Sequence, residues 1–288
     1  MYQRPARFPE FIIIGAVKAA TTWLAHQLRQ HPAIFMPGPE PHYFSTEYDR
    51  GHDWYRGQFR DAASHEVIGE KSADYFAHPL APQRIAALLP KIPLIVQLRN
   101  PIERAYSDYC MLFRRGLVGD DPAEYLAQPH SAQPRFLMDG LYGRHLRAYR
   151  DHFPTQQIKI ILYEDVSTMP AVTIADVCRH IGVPVHIART ELRSRRNGSE
   201  TPMLPLPMRR MLRPAKSLVQ PLRNQSWFQW MHARLAKPVA YPPMNNDLRR
   251  RLCDYYHDDI EQASRLLDRN LSGWLTLDPS PAETRVSA

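Results

Sequence analysis

The chain has 288 residues, 44% of them apolar, and a net charge of +8 from 37 Lys and Arg against 29 Asp and Glu. That apolar share excludes a disordered chain, and three widely spaced cysteines (Cys110, Cys178, Cys253) exclude a disulfide framework or a thiolate metal site. No apolar run approaches the roughly 18 residues that cross a bilayer, so a soluble, cytoplasmic protein with reduced cysteines is expected. The pI near 9.5 fits nucleic acid, an anionic membrane, or a polyanionic substrate or cofactor.

The first element is the apolar run Phe11–Ile14, which reaches Gly15 and reads as a buried strand. Lys18 follows, and Thr21-Thr22 opens a helical pattern over Thr21–His31 with Leu24 and Leu28 on one face. A strand that stops at a tight loop and restarts as a helix leaves backbone N–H groups without partners. With the helix dipole and one lysine, they form a cradle for a phosphate-like anion. The loop is P-loop-like but not Walker A, because Lys18 precedes the threonines and no glycine lies between Gly15 and Gly38. Such a loop suits an anion handled without a metal.

The segment GPEPHYF then places Glu40 and His42 on either side of Pro41, on a turn rather than in a core element. A glutamate there can take a proton from a hydroxyl nucleophile, with His42 orienting either partner; the alternative is a solvated surface pair. A short strand at Val67-Ile68 leads into GEKSADYF, where Lys71 can meet developing negative charge or pair with Glu70. A helical pattern covers Pro79–Leu89, and the next buried strand is Leu94–Leu98. In the following LRNPIERAYSDY, Arg99 ends that strand, Pro101 suits a first helical position, and Ser107 lies two turns into a helix over Ile102–Arg114. Arg99 can fork onto a phosphate while Ser107 donates a hydroxyl; equally, Arg99 can pair with Glu103 or Asp108.

Gly140–His152 reads as a helix, Ile158–Leu162 as a strand and Ala171–Ile181 as a helix. Flat apolar strands alternating with helices predict an α/β fold: a doubly wound parallel sheet flanked by helices. Ligands in such sheets sit beyond the strand carboxyl ends, so Gly15, Arg99 and Tyr163 should line one cleft. Lys18, Lys71, Arg99, Ser107 and Glu40 then converge on one crevice. Residues 189–250 are rich in arginine and proline and have no steady period. The part from 202 to 243, with Trp227, Phe228 and Trp230, is a substrate-covering insertion, a peripheral membrane contact or an irregular wrap. A final helix is expected over Asn246–Leu267.

Taken together, the four ordered motifs resemble those of sulfotransferases that use 3′-phosphoadenosine 5′-phosphosulfate (PAPS). The likeness is to the heparan sulfate branch and its soluble bacterial relatives. It runs over about Phe11–Gly182, with a shorter echo near Arg195–Ser199. It implies one sulfotransferase domain over 1–288: a core about 8–185, an irregular or helical insertion about 189–245 and a C-terminal helix about 246–268. It implies that Lys18, Ala19, Ala20, Thr21, Thr22 and Trp23 hold the 5′-phosphosulfate, with Lys18 at the bridging oxygen. Arg99 and Ser107 would bind the 3′-phosphate, and Arg196, Asn197 and Gly198 would close over the nucleotide. Glu40 would be the general base, assisted by His42 and Lys71, with Phe44 and Ser72 also on the acceptor side. Adenosine 3′,5′-bisphosphate would be the product and no metal would be required. The acceptor would be a glycan or glycolipid hydroxyl, with a peptide tyrosine as the runner-up. A P-loop kinase or NTPase, or a basic module binding nucleic acid or a membrane, are the competing classes; the resemblance implies no nucleic-acid partner.

Two features depart from the family pattern. Ala20 stands where a glycine usually precedes the threonine pair, and alanine holds that path if its φ stays negative. No cysteine lies between Cys178 and Cys253, so the disulfide of the Golgi members is absent.

Overall fold

The computed structural model describes residues 7–63, 66–128, 133–187 and 239–277. At its centre is a parallel sheet of β1 (Phe11–Gly15), β2 (Ile34–Phe35), β3 (Val67–Lys71), β4 (Leu94–Leu98) and β5 (Ile158–Leu162), in the spatial order β2-β3-β1-β4-β5. Every residue of β1 and β4 is buried, as a sheet covered on both faces requires. Alternation along these strands feeds two separate cores. Ile12, Ile14, Val96 and Leu98 face one, while Phe11, Ile13 and Ile95 face the other.

The helices are α1 (Thr21–Arg29), α2 (Gly51–Gly57), α3 (Ala81–Leu88), α4 (Pro101–Arg114), α5 (Pro122–Leu126), α6 (Arg135–Met138), α7 (Tyr142–Arg150), α8 (Tyr163–Thr168), α9 (Pro170–His180) and α10 (Asn246–Leu267). Leu24 and Leu28 of α1 pack with Ile174 and Val177 of α9 on one face of the sheet. The other face takes Ile85 of α3, Ile102 and Tyr109 of α4, Tyr149 of α7 and Tyr256 of α10. The doubly wound, three-layer α/β arrangement is the one the alternating pattern predicts.

Two departures from the predicted elements bear on the site. The two-residue β2 pairs Ile34 with Val67 and has no sequence signal of its own. β3 continues past Ile68 to Lys71, because Gly69, Glu70 and Lys71 stay in register with Phe11, Ile12 and Ile13. The short helices α2, α5, α6 and α8 were also not expected; at four to seven residues they are too short for a helical period to register.

Strand order reverses across β1 and β4, so the ligand crevice lies beyond Gly15 and Leu98. The mouth of β4 is set by Asn100, whose Oδ1 accepts from Ile102 N–H at 2.9 Å and whose Nδ2 donates to Trp274 O at 3.1 Å. Arg249 of α10 forms a buried ion pair with Glu103 of α4. Asp259 of α10 accepts the Gly143 and Arg144 N–H groups at 2.8 and 2.9 Å, capping α7 from another helix. The C-terminal helix thus locks the element that carries Arg99 and Ser107.

The three cysteines are free. No helix among the described residues is long and apolar enough to cross a membrane. Arg196, Asn197, Gly198 and residues 188–238 of the predicted insertion lie outside the described residues.

Candidate active site

Gly15 lets two segments touch. A Cβ on it would fall 2.6 Å from Phe76 Cβ and 2.8 Å from Ala73 O, contacts that no other residue survives. Ser72 N–H donates to Ile13 O at 3.1 Å and Phe76 N–H to Ile14 O at 2.8 Å, lacing GEKSADYF along the end of β1. Beyond Gly15 the loop is held by Ala16 N–H to Gln97 O at 2.8 Å and Ala19 N–H to Ala16 O at 3.2 Å. Helix α1 begins where Trp23 N–H reaches Ala20 O. Among the described residues, the N–H groups of Lys18, Ala20, Thr21 and Thr22 meet no backbone acceptor. They form the donor cradle that the strand-loop-helix pattern predicts.

The backbone of that loop differs from expectation at one residue. Ala20 has φ 65° and Lys18 φ 67°, both left-handed. Ala20 therefore occupies the glycine conformation itself rather than a negative-φ substitute for it. A non-glycine residue there costs on the order of 1 kcal/mol. Ala20→Gly is expected to raise the thermal midpoint by about 2–4 °C without weakening anion binding. Calorimetry checks this, and an unchanged or lower midpoint would show that Ala20 is unstrained.

The carboxylate side of the site grows from strand alternation in β3. Glu70 and Lys71 are neighbours on a strand, so they point to opposite faces and do not pair. Glu70 is fully buried and accepts hydrogen bonds from Tyr55, from Tyr75 at 2.6 Å and from Ser72 at 2.9 Å. Burial pushes its carboxyl up to about 7 against those three donors. Lys71 instead forms an ion pair with Glu40 and lies 3.5 Å from Thr22 Oγ1. The other Glu40 oxygen accepts Ala73 N–H at 2.9 Å. One lysine thus joins the anion loop to the proposed base.

His42 stands two residues on, with Nδ1 2.7 Å from Asp74 Oδ1. Its own N–H donates to Ser72 Oγ at 3.0 Å. The Asp74 bond raises the imidazole above its ordinary value, aided by the charges of Asp74, Glu40 and Glu70 and opposed by burial. Asp74 is the residue that motif reading passed over. Its position inside GEKSADYF was visible, but its partner 32 residues away was not.

At the end of β4, Arg99 is nearly buried, with its guanidinium carbon 5.0 Å from the Tyr163 ring centroid. Of the acidic residues nearby, Glu103 pairs with Arg249, and Asp108 with Arg135 at 2.7 Å and Arg104 at 3.8 Å. The partly exposed Ser107 hydroxyl makes no hydrogen bond with a described residue. Burial holds the Lys18 ammonium below the usual lysine range; Asp108 opposes this, and the nearby Arg99 and Arg115 cations reinforce it. Lys18, Arg99 and Arg115 therefore lie close enough for their charges to act on one another, and sequence reading found the first two.

Some residues expected to touch ligand are placed otherwise. Phe44 is fully buried, edge-on to Tyr55 and Tyr75, so it packs the core under the site and does not reach an acceptor. Ser72 is also fully buried and joins Glu70 to the His42 backbone rather than facing a ligand. Ala19 is buried and can act only through its backbone, and Trp23 packs against the α1–α9 core.

A family model described as the sulfotransferase domain matches residues 8–261. Among curated proteins, the mouse bifunctional heparan sulfate N-deacetylase/N-sulfotransferase 3 is 30% identical over 301 residues, covering 93% of this chain and 31% of that protein. Mouse heparan sulfate glucosamine 3-O-sulfotransferase 6 is 34% identical over 182 residues, covering 62% of this chain and 53% of that protein. The chain thus spans between a third and about half of the length of these relatives. Among solved structures, a sulfotransferase from Alicyclobacillus acidocaldarius superposes with a TM-score of 0.70 at 24% identity, covering 94% of this chain and all of that one. That likeness shows the shared fold.

Proposed function

The chain belongs to the sulfotransferase family, and from that premise we propose that it moves a sulfuryl group from PAPS to a hydroxyl or amine of a carbohydrate. The observation that carries this reading is Lys71, which touches Thr22 of the anion loop and Glu40 at once. A base and an anion cradle joined by one side chain suit transfer of an anionic group to an acceptor that must lose a proton. The family match and the absence of the Walker A order speak against the P-loop kinase alternative.

The residues present fit PAPS. The N–H groups of Lys18 and Ala20–Thr22, which meet no backbone acceptor among the described residues, would hold the 5′-phosphosulfate with the Lys18 ammonium. Arg99 and the Ser107 hydroxyl, which meets no described partner, would hold the 3′-phosphate that distinguishes this nucleotide from ATP. When bound, PAPS supplies the sulfuryl group and leaves as adenosine 3′,5′-bisphosphate. Glu40 takes the acceptor proton as the new bond to sulfur forms and the bond to the phosphate oxygen breaks. Lys18 meets the charge left on that oxygen, and Lys71 keeps Glu40 aimed. These lysines supply the positive charge that a metal gives phosphoryl transfer, so no metal is required in this reading.

A carbohydrate acceptor is favoured because the relatives named above act on heparan sulfate or its glucosamine. A peptide tyrosine is the other acceptor class. We place the enzyme in the cytoplasm, which its free cysteines support. Two measurements test the reading. Adenosine 3′,5′-bisphosphate is expected to bind without added metal and at least tenfold tighter than ATP. Radiolabelled PAPS should then label an unsulfated heparan-type oligosaccharide and not a tyrosine peptide. Preferential binding of ATP would defeat the cofactor assignment, and label in the peptide alone would replace the acceptor.

A further inference from the structure

We propose that Asp74 is a positioning residue that holds His42 as a hydrogen-bond-donating imidazolium beside Glu40. The inference rests on the sulfotransferase reading of this site. Side-chain polar atoms of Glu40, His42 and Asp74 lie within 4.8 Å of one another. The His42 ring is fixed at one end by Asp74 Oδ1, 2.7 Å from Nδ1. Asp74 is fixed in turn, because its Oδ2 accepts the Ser45 hydroxyl at 2.6 Å.

The backbone of His42 is fixed as well. Its N–H donates to Ser72 Oγ, and its carbonyl accepts Ser45 N–H at 3.2 Å and Glu47 N–H at 3.0 Å, closing a turn with His42 at φ 52°. With Nδ1 engaged, Nε2 is the ring nitrogen left for a ligand, and it has no hydrogen-bond partner among the described residues. The His42 side chain is 40% exposed.

The surrounding charge decides what Nε2 carries. Asp74 and Glu70 from the β3 segment and Glu40 from the same loop are all acidic. The basic groups nearby are spoken for: Lys71 pairs with Glu40, and Arg84 of α3 donates to the carbonyls of Phe44 and Ser45. An imidazole facing three carboxyl groups, one bonded to Nδ1, holds its proton more tightly than a free imidazole does. Nε2–H is therefore a donor to an oxygen of the acceptor or the sulfuryl group, and proton removal stays with Glu40. Asp74 does this without touching substrate.

The test is a set of pH–rate profiles at saturating PAPS, which keeps Lys18 occupied. Wild-type kcat/KM for acceptor should fall on the alkaline side as His42 loses its proton. Asp74→Asn should move that limb down by about one pH unit, with roughly a tenfold loss at pH 8 and a much smaller one at pH 6. His42→Gln should lower the rate and abolish the limb. Superimposable wild-type and Asp74→Asn profiles would overturn the proposal, as would a uniform loss at every pH. So would displacement of an acidic limb instead, which would make His42 a base. Should Asp74→Asn fail to fold, an alkaline limb that survives in His42→Gln overturns it equally. Binding of adenosine 3′,5′-bisphosphate to wild type is measured alongside; its absence would defeat the sulfotransferase reading rather than the role of Asp74.

Discussion

Glu40→Gln is expected to lower turnover with PAPS by about 10²–10⁴-fold, the span of a lost general base, while adenosine 3′,5′-bisphosphate binds as before. Glutamine keeps the shape of the site. Its carbonyl can still accept Ala73 N–H or the Lys71 ammonium, but it cannot take a proton from an acceptor. The substitution also leaves Lys71, whose side chain is only 7% exposed, without its counter-charge. Breaking a buried pair from one side costs up to about 3–5 kcal/mol, and the 29% exposure of Glu40 to water reduces that here. The thermal midpoint should therefore drop, and rates must be compared well below it. Turnover near wild type in folded Glu40→Gln would remove Glu40 from the chemistry.

Lys18→Ala carries the second large effect, with an unusual sign for stability. Loss of the ammonium facing the leaving phosphate oxygen should cost about 10²–10³ in kcat, or roughly 3–4 kcal/mol. Nucleotide binding should weaken in parallel. The free protein, however, should melt no lower than wild type. Burial and the Arg99 and Arg115 charges already disfavour the Lys18 ammonium, so its removal relieves the fold. Charge held under repulsion for a ligand is the usual exchange of stability for function at a binding site. Steady-state kinetics and calorimetry on one preparation check both halves. A lower midpoint with retained turnover would show that Lys18 is a structural residue.

Much of the site is legible in the chain because its signals are local. Apolar runs ending at Gly15, Leu98 and Leu162 gave strand ends, and strand ends of a doubly wound sheet share one edge. Lys18, Arg99 and Ser107 follow from that rule, as does the helix start at Thr21 that leaves donors free. Glu40 and Lys71 were each visible as candidates, but not their ion pair. The shorter Val67-Ile68 reading of β3 concealed why Lys71 turns from Glu70: residues adjacent on a strand face opposite ways, and the strand runs on to Lys71. Phe44 shows the reverse error. The resemblance put it on the acceptor side, yet it fills the core below that loop.

The sequence by itself determined the fold class, the order of the motifs and the chemical kind of each site residue. Those depend on periodicity, turn residues and side-chain chemistry, which act over a few positions. Tertiary structure alone decided the partners: Lys71 with Glu40, Asp74 with His42, and Arg249 with Glu103. It also decided that Ala20 is left-handed. Each of these is set by strand register and by the close approach of residues 73–76 to Gly15, distances between segments far apart in the chain on which a local pattern carries no information.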